Sequence, residues 1–232
     1  MIGFYDYTVW LTYASLISAG TGIVVSLSGL GHPYMGMFFL LFSGFCDAFD
    51  GIVARSKKNR TRMECNYGIQ IDSLADVIAF GVLPACIGVA LMRRSEMANA
   101  FFSENSPIAV TALGFVMHVI LMLFMLAALI RLAYFNVTEE ERQRTEGAKV
   151  RKEYTGLPVT SSALIFPTVL LVDYWLTELD LTLIYFSVLV ITGFCFLGKF
   201  KVRKPSKRGV YIMVAVGAVE FIILLLGELL TK

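Results

Sequence analysis

Charge is scarce in this chain. Only 16% of its 232 residues are charged, whereas 57% are hydrophobic, and a soluble domain of this length would carry far more charge. Cysteine is also rare: the four cysteines lack CxxC spacing, so neither a zinc site nor a disulfide framework is indicated. No internal repeat and no Ser/His or Cys/His pair suggestive of a covalent intermediate stands out. Nothing in the sequence indicates nucleic acid or a redox cofactor as a partner.

Long apolar runs are what the sequence has instead. Runs of about 20 residues can cross a hydrocarbon core roughly 30 Å thick, and backbone groups in lipid must be paired within their own segment, so we predict helices. We predict seven spans: Val9–Leu30, Tyr34–Arg55, Ile69–Met92, Ile108–Phe135, Leu157–Leu176, Leu181–Gly198 and Gly209–Leu230. The first run is too long for a signal peptide and lacks a basic region before it. The prediction is an all-α polytopic membrane bundle forming one domain over residues 1–232.

Basic residues predict the orientation of this bundle. Sixteen of the 20 lysines and arginines fall in three alternate loops, at 55–67, 136–154 and 199–208. The opposite side has only Arg93, Arg94 and Lys232, and Arg131 lies inside a span. The positive-inside rule makes the three basic loops cytoplasmic. We therefore expect a multi-pass protein of the cell membrane with its N-terminus inside and its C-terminus outside.

Acidic residues cluster at the cytoplasmic ends of the second and third spans. Asp47, Asp50, Gly51 and Ala54 are spaced to share one helical face, as are Gly68, Asp72 and Asp76. Since the two helices are antiparallel neighbours, the two faces can meet at one depth just below the membrane surface.

Four carboxylates in a low-dielectric setting need a cation to offset them. Oxygen ligands suit Mg²⁺, Mn²⁺ or Ca²⁺. The small Gly51 and Ala54 let a large ligand approach, and Arg55 offers donors for a phosphate. Spacing alone leaves three interpretations open: metal-assisted group transfer, a cation-coupled transporter, or a structural network with Arg55 and Lys57.

These residues resemble the signature of the CDP-alcohol phosphatidyltransferase family, which is D-x2-D-G-x2-A-R, a spacer, and G-x3-D-x3-D. Every fixed position is matched, by Asp47, Asp50, Gly51, Ala54, Arg55, Gly68, Asp72 and Asp76. The spacer, Ser56–Tyr67, has twelve residues where eight are usual, and we expect this basic insertion to lie in the loop. The resemblance covers the first six spans. It implies a six-helix core over residues 1–198 plus one additional C-terminal helix at 209–230.

The resemblance also implies a chemistry. Asp47, Asp50, Asp72 and Asp76 would hold two divalent ions, Mg²⁺ or Mn²⁺, against the pyrophosphate of CDP-diacylglycerol. Gly51, Ala54, Arg55 and Gly68 would form the nucleotide side of the pocket. Asp76 would be the general base that takes a proton from the acceptor alcohol.

Within the family, the surroundings look most like those of the membrane-bound phosphatidylserine synthases. The cues are the stretches Asp72–Asp76, Phe80–Ala85, Arg131–Asn136 and Gly156–Pro158. The expected acceptor is therefore L-serine, giving phosphatidylserine and CMP, with glycerol 3-phosphate and inositol phosphate as alternatives. Members of the family are commonly dimers, which implies a homodimer.

Four further residues are candidates for substrate contacts. Arg131 would bind a carboxylate or phosphate, or extend to the membrane interface. Asn136 would make a polar contact or cap the end of its helix. Thr12 and Ser15, about one turn apart on the first span, would contact the cytidine or serve helix packing.

Overall fold

A computed structural model of the chain describes residues 2–29, 31–95, 108–146, 153–173, 181–203 and 207–230. Helices dominate these ranges, and a π-helical segment, Val77–Val82, joins α3 to α4. The α-helices are α1 (Trp10–Leu27), α2 (Pro33–Ser56), α3 (Arg62–Asp76), α4 (Leu83–Arg94), α5 (Ile108–Glu146), α6 (Ser162–Asp173), α7 (Leu181–Leu197) and α8 (Lys207–Leu230). Two short strands, β1 (Glu153–Thr155) and β2 (Lys201–Arg203), pair antiparallel, and a 3₁₀ turn, Val159–Ser161, precedes α6.

Each of the seven predicted spans coincides with a helix. Five helical stretches are long and apolar enough to cross a membrane, and two shorter apolar helices cover 159–171 and 181–197. The third span is α3, the π segment and α4 in continuity. The prediction of a polytopic membrane bundle is thus confirmed. Two parts of the predicted spans, Leu30 and residues 174–176, lie outside the described residues. So do five of the basic residues used to predict the orientation: Lys149, Arg151, Lys152, Lys204 and Lys232.

Helix α5 continues well past the end predicted for it at Phe135. Its 39 residues extend about 58 Å at 1.5 Å per residue, nearly twice the hydrocarbon thickness. The polar last turns are stabilised by ion pairs one turn apart, Glu139 with Arg142 and Glu140 with Arg144, each at 2.6 Å. The prediction that 136–154 is a loop was therefore wrong for 136–146.

The basic insertion is mostly helical, contrary to the prediction that it lies in the loop. Helix α2 includes Ser56 and α3 begins at Arg62, so only five residues of the spacer lie outside helices. A capping box starts α3: Glu64 N–H donates to the Thr61 hydroxyl at 3.2 Å, and Thr61 N–H donates to the Glu64 carboxylate at 2.6 Å. The spacer thus supplies the last residue of α2, the turn, and the first six residues of α3.

The π segment directly follows Asp76. Pro84 lies in the first turn of α4, and proline both lacks an N–H and crowds the carbonyl four residues before it. The wider π turn accommodates this mismatch without breaking the helix. The Tyr185 hydroxyl, fully buried on α7, donates to the Pro84 carbonyl at 2.7 Å and so ties α7 to this turn.

Close helix contacts position α2 at the centre of the bundle. A Cβ on Gly44 would lie 2.4 Å from Cβ of Ala163, so α2 and α6 touch almost backbone to backbone one turn before Asp47. The core beside this contact is aromatic: Phe124, Phe166 and Tyr185 pack with ring centroids 5.1–5.5 Å apart. Packing of this density fixes the axial position of α2 and of the carboxylates it carries.

Gly156 joins the end of α7 to the start of α6. Its φ of +74° is left-handed, its N–H donates to Phe200 O at 2.7 Å, and Leu157 N–H donates to Cys195 O at 3.0 Å. These donors pair carbonyls at and just beyond the C-terminal end of α7. Together with the β1–β2 pairing, they bring two of the three basic loops to the same end of the bundle.

Helix α8 packs against α2 and α6 at the edge of the bundle. Glu220, 5% exposed, accepts a hydrogen bond from the Thr168 hydroxyl at 2.5 Å. Much of the remaining helix exposes apolar side chains such as Ile212 and Ile222. In a membrane protein such a surface is covered by lipid hydrocarbon.

Candidate active site

Three carboxylates converge where α2 and α3 face each other. One oxygen from each of Asp47, Asp50 and Asp72 lies within 4.8 Å of the other two, and all three residues are half-buried. They come together because α2 and α3 are consecutive helices joined by a turn of only five residues, Lys57–Thr61. The predicted meeting of the two acidic faces is confirmed for these three residues.

Asp76 lies one helical turn deeper than Asp72 and is 8% exposed. It interacts electrostatically with Asp47, Asp72 and Asp50, but the cluster within 4.8 Å does not include it. Its roles as fourth metal ligand and as general base stay predictions.

The cluster fits a divalent cation. Its donors are carboxylate oxygens only, the set preferred by hard ions. Without a cation, three half-buried carboxylates at this separation repel one another strongly or take up protons. A bound divalent ion would remove that cost and leave a positive site for a phosphate.

The two α1 candidates differ in their contacts. The Thr12 hydroxyl donates to an oxygen of Asp50 at 3.4 Å and is buried, so Thr12 supports the carboxylate cluster. Ser15 and Ser43 instead form a reciprocal pair, each hydroxyl donating to the other residue's carbonyl at 3.4 and 3.0 Å. The Ser15–Ser43 pair supports helix packing, and the contacts of Thr12 and Ser15 with the cytidine stay predictions.

Arginine side chains cover both signature glycines. A Cβ on Gly51 would lie 3.1 Å from Nη1 of Arg55, and one on Gly68 would lie 2.7 Å from Nη2 of Arg60. The Arg60 guanidinium also approaches the Ala54 carbonyl at 3.5 Å. The small residues therefore admit guanidinium groups to the backbone. Arg60 belongs to the insertion, and the signature gave no reason to select it.

Arg131 and Asn136 both face inward from α5. Arg131 is only 5% exposed, its Nε donates to Leu157 O at 3.1 Å, and its guanidinium lies 5.8 Å from the ring centroid of Phe135. Its guanidinium is thus buried within the bundle and not exposed at its surface. Asn136 is no helix cap, because α5 continues to Glu146; its amide donates to the Ser73 hydroxyl at 2.8 Å, next to Asp72.

A lysine in the α2–α3 turn ties the N-terminal segment to the site. Lys57 Nζ contacts the carboxylates of Asp6 at 2.6 Å and Glu64 at 2.7 Å. The hydrogen bond from Lys57, aided by one from Thr8, lowers the pKa of Asp6 to about 2. Tyr13 and Tyr67 add a hydroxyl contact at 2.9 Å. The turn is thus bonded through Lys57 to the N-terminal segment on one side and to α3 on the other.

An apolar cavity of about 560 Å³ opens beside the carboxylates. Asp47 lines it together with residues of α2, the 3₁₀ turn, α6 and α8, among them Gly44, Thr160, Gly217 and Phe221. The cavity is therefore bounded by the Asp47 carboxylate, by the hydroxyl-bearing side chains of Tyr154 and Thr160, and otherwise mostly by apolar residues. Such a space suits a molecule with a polar group at the metal site and an apolar chain beside it.

The fold and the site define an integral membrane protein with a cluster of carboxylates, suited to a hard cation, between its second and third spans. The chain belongs to the CDP-alcohol phosphatidyltransferase family, whose model matches residues 8–193. The match includes the carboxylate cluster and ends within α7, so α8 lies outside it.

Three relatives with named activities share 27–31% identity with the chain. It is 31% identical over 163 residues to the CDP-diacylglycerol–serine O-phosphatidyltransferase of Saccharomyces cerevisiae, covering 69% of this chain and 51% of that protein. It is 27% identical over 178 residues to the enzyme of the same name from Helicobacter pylori, covering 76% and 62%. It is 28% identical over 178 residues to an archaetidylserine synthase from Methanothermobacter thermautotrophicus, covering 76% and 64%. The chain thus spans about half to two thirds of these relatives.

Proposed function

We propose that this chain transfers the phosphatidyl group of CDP-diacylglycerol to L-serine, giving phosphatidylserine and CMP. The observation that carries the proposal is the convergence of Asp47, Asp50 and Asp72 within 4.8 Å beside an apolar cavity. The names of the relatives support serine as the acceptor. Glycerol 3-phosphate and inositol phosphate are the alternative acceptors. A cation-coupled transporter is not favoured by the family match.

Asp47, Asp50, Asp72 and Asp76 would hold Mg²⁺ or Mn²⁺, with Ca²⁺ a further hard ion of suitable chemistry. When bound, such ions neutralise the pyrophosphate and stabilise the leaving CMP. The chain's own contribution is to fix the carboxylates between two helices and to support Asp50 through the Thr12 hydroxyl. Asp76, at the buried end of the acidic face, would accept the proton of the serine hydroxyl as its oxygen attacks the phosphorus that bears the diacylglycerol.

The polar and apolar parts of the lipid substrate would occupy different regions. Gly51, Ala54, Arg55 and Gly68 would face the nucleotide, and the cavity beside Asp47 would take acyl-chain methylenes. Arg131 and Asn136, directed inward from α5, would contact the acceptor or the phosphate. The site would face the cytoplasm of a cell membrane, with the N-terminus inside, the C-terminus outside and the active unit a homodimer.

Release of CMP from CDP-diacylglycerol tests this function. Purified protein in detergent would be supplied with Mn²⁺ and with serine, glycerol 3-phosphate or inositol phosphate. We expect release with serine only, and loss of release with EDTA or in Asp76→Asn. The control is Glu140→Gln, which removes an exposed carboxylate of α5. Release with another acceptor would refute the serine assignment, and release with none would refute the transferase assignment.

A further inference from the structure

Arg60 lies where the turn between α2 and α3 meets both helices. Its Nη2 donates to the Glu64 carbonyl at 3.1 Å, and its Nη1 approaches the Ala54 carbonyl at 3.5 Å. The same Nη2 occupies the space next to the backbone of Gly68, since a Cβ there would lie only 2.7 Å away. The guanidinium is therefore inserted between the two signature segments.

This position is close to the carboxylate cluster. Ala54 is four residues from Asp50 on α2, and Gly68 is four residues from Asp72 on α3. Four residues correspond to about 6 Å along a helix axis. The guanidinium thus lies about one turn from the carboxylates, on the side where the two helices end and the turn begins. A diphosphate held at the cluster could reach it with its second phosphate.

One buried nitrogen of Arg60 makes no hydrogen bond within the part of the chain that the structure describes. Among the described residues, none supplies an acceptor for the buried Nε. A buried donor without a partner is costly, and in a native structure it calls for a missing acceptor. Nε and one Nη of a guanidinium form a fork that matches two phosphate oxygens. A phosphate at this position would give Nε the acceptor it lacks.

We propose that Arg60 binds the cytidine-bearing phosphate of the nucleotide substrate. The proposal rests on the proposed function and adds to it a binding residue that the family signature does not contain. Arg60 belongs to the twelve-residue spacer. The start of α3 at Arg62 and the ion pairs of Lys57 with Asp6 and Glu64 position the turn that carries it. The insertion thereby contributes a cation to the nucleotide side of the site.

CMP binding measures this contact directly. Calorimetry on the purified protein in detergent with Mn²⁺ would compare wild type, Arg60→Gln, Arg60→Lys and the control Arg62→Gln, at an exposed position of the same basic segment. We expect Arg60→Gln to weaken CMP binding about tenfold or more, the loss typical of a hydrogen bond to a charged group. Arg60→Lys should lie between, since it keeps the charge but not the fork, and Arg62→Gln should match wild type.

Steady-state kinetics separates binding from a purely structural role. With serine as acceptor, we expect the KM for CDP-diacylglycerol to rise in Arg60→Gln while the KM for serine stays at its wild-type value. The melting temperature should fall by at most a few degrees, because Gln gives up the two bonds of Arg60 to the Ala54 and Glu64 carbonyls. Unchanged CMP affinity in a folded Arg60→Gln protein would overturn the inference. The inference would also be overturned if Arg60→Gln lowered the affinity for CMP, raised the KM for serine and lowered the melting temperature together. That pattern would mean that Arg60 only holds α2 and α3 together. If wild type neither binds CMP nor releases it with any acceptor, the proposed function itself fails.

Discussion

Replacing Asp72 with Asn should stabilise the metal-free protein while abolishing its response to metal. The oxygens of Asp47, Asp50 and Asp72 lie within 4.8 Å of one another. Two ionised carboxylates at that distance repel by about 3.5 kcal/mol at an effective dielectric constant of about 20. Proton uptake and side-chain movement relieve part of this repulsion. We therefore expect Asp72→Asn to gain about 1 to 2 kcal/mol in free energy of unfolding, the part that these adjustments leave.

Thermal unfolding of the purified protein in detergent measures this gain. With EDTA, Asp72→Asn should melt a few degrees above wild type. Titration with Mn²⁺ should then stabilise wild type, because a ligand of the folded state raises its stability by mass action, and should leave the variant unchanged.

The matched control is Glu140→Gln, which removes a carboxylate that is 67% exposed and paired with Arg144. It should alter neither the melting temperature nor the response to Mn²⁺, because exposed ion pairs contribute little. If Asp72→Asn melts below wild type without metal, or is stabilised by Mn²⁺ as strongly as wild type, the three carboxylates do not form a cation site.

Three further substitutions test the surroundings of the site. Asp6→Asn should lower the free energy of unfolding by up to about 1 kcal/mol at pH 7. The pKa of Asp6 in the folded protein, about 2, lies below its ordinary 3.8. The stabilisation is therefore complete above about pH 4 and is lost as the pH falls toward 2. Unfolding measured at several pH values should show the variant and wild type becoming equally stable at the acid end. Gly217→Leu would fill the cavity beside Asp47, so the KM should rise for long-chain CDP-diacylglycerol but not for a short-chain form. The control is Val219→Leu, at an exposed position of α8. An equal rise in KM for both substrates would refute the assignment of the cavity to acyl chains. Gly156→Ala should lower the free energy of unfolding by at least about 2 kcal/mol, because φ is +74° and the new Cβ would lie 2.8 Å from a carbonyl oxygen. The control, Gly20→Ala, should cause no such loss, because nothing lies within 4 Å of its Cβ. Equal stability of the two variants would contradict the packing described for Gly156.

The spans and the acidic faces were predictable because each depends on a short-range physical rule. Hydrocarbon thickness fixes the length of a span, and the helical repeat fixes which residues share a face. Asp47, Asp50 and Asp72 could therefore be brought together from spacing alone. Asp76 was placed on the same face, yet whether its oxygen joins the others depends on side-chain geometry that spacing does not specify.

Other features depend on contacts between distant segments. No pattern in the sequence pairs Lys57 with Asp6, orients Arg131 toward the Leu157 carbonyl, or joins Asn136 to Ser73. The continuation of α5 past Phe135 does have a signal in the sequence. Pairs of Glu with Arg at i,i+3 and i,i+4 favour a helix, whereas we predicted a loop there because the positive-inside rule considers only charge.

The spacer shows how a family signature can persist while its surroundings change. Six of its twelve residues form the start of α3, and Gly68 and Asp72 follow on the same helix, four residues apart. The capping box at Thr61 and Glu64 marks this helix start in the sequence itself. What the insertion alters is the turn, which brings Arg60 against Gly68. Variation in spacer length should therefore change nucleotide affinity before it changes metal binding, because the turn lies one helical turn away from the carboxylates that would hold the metal.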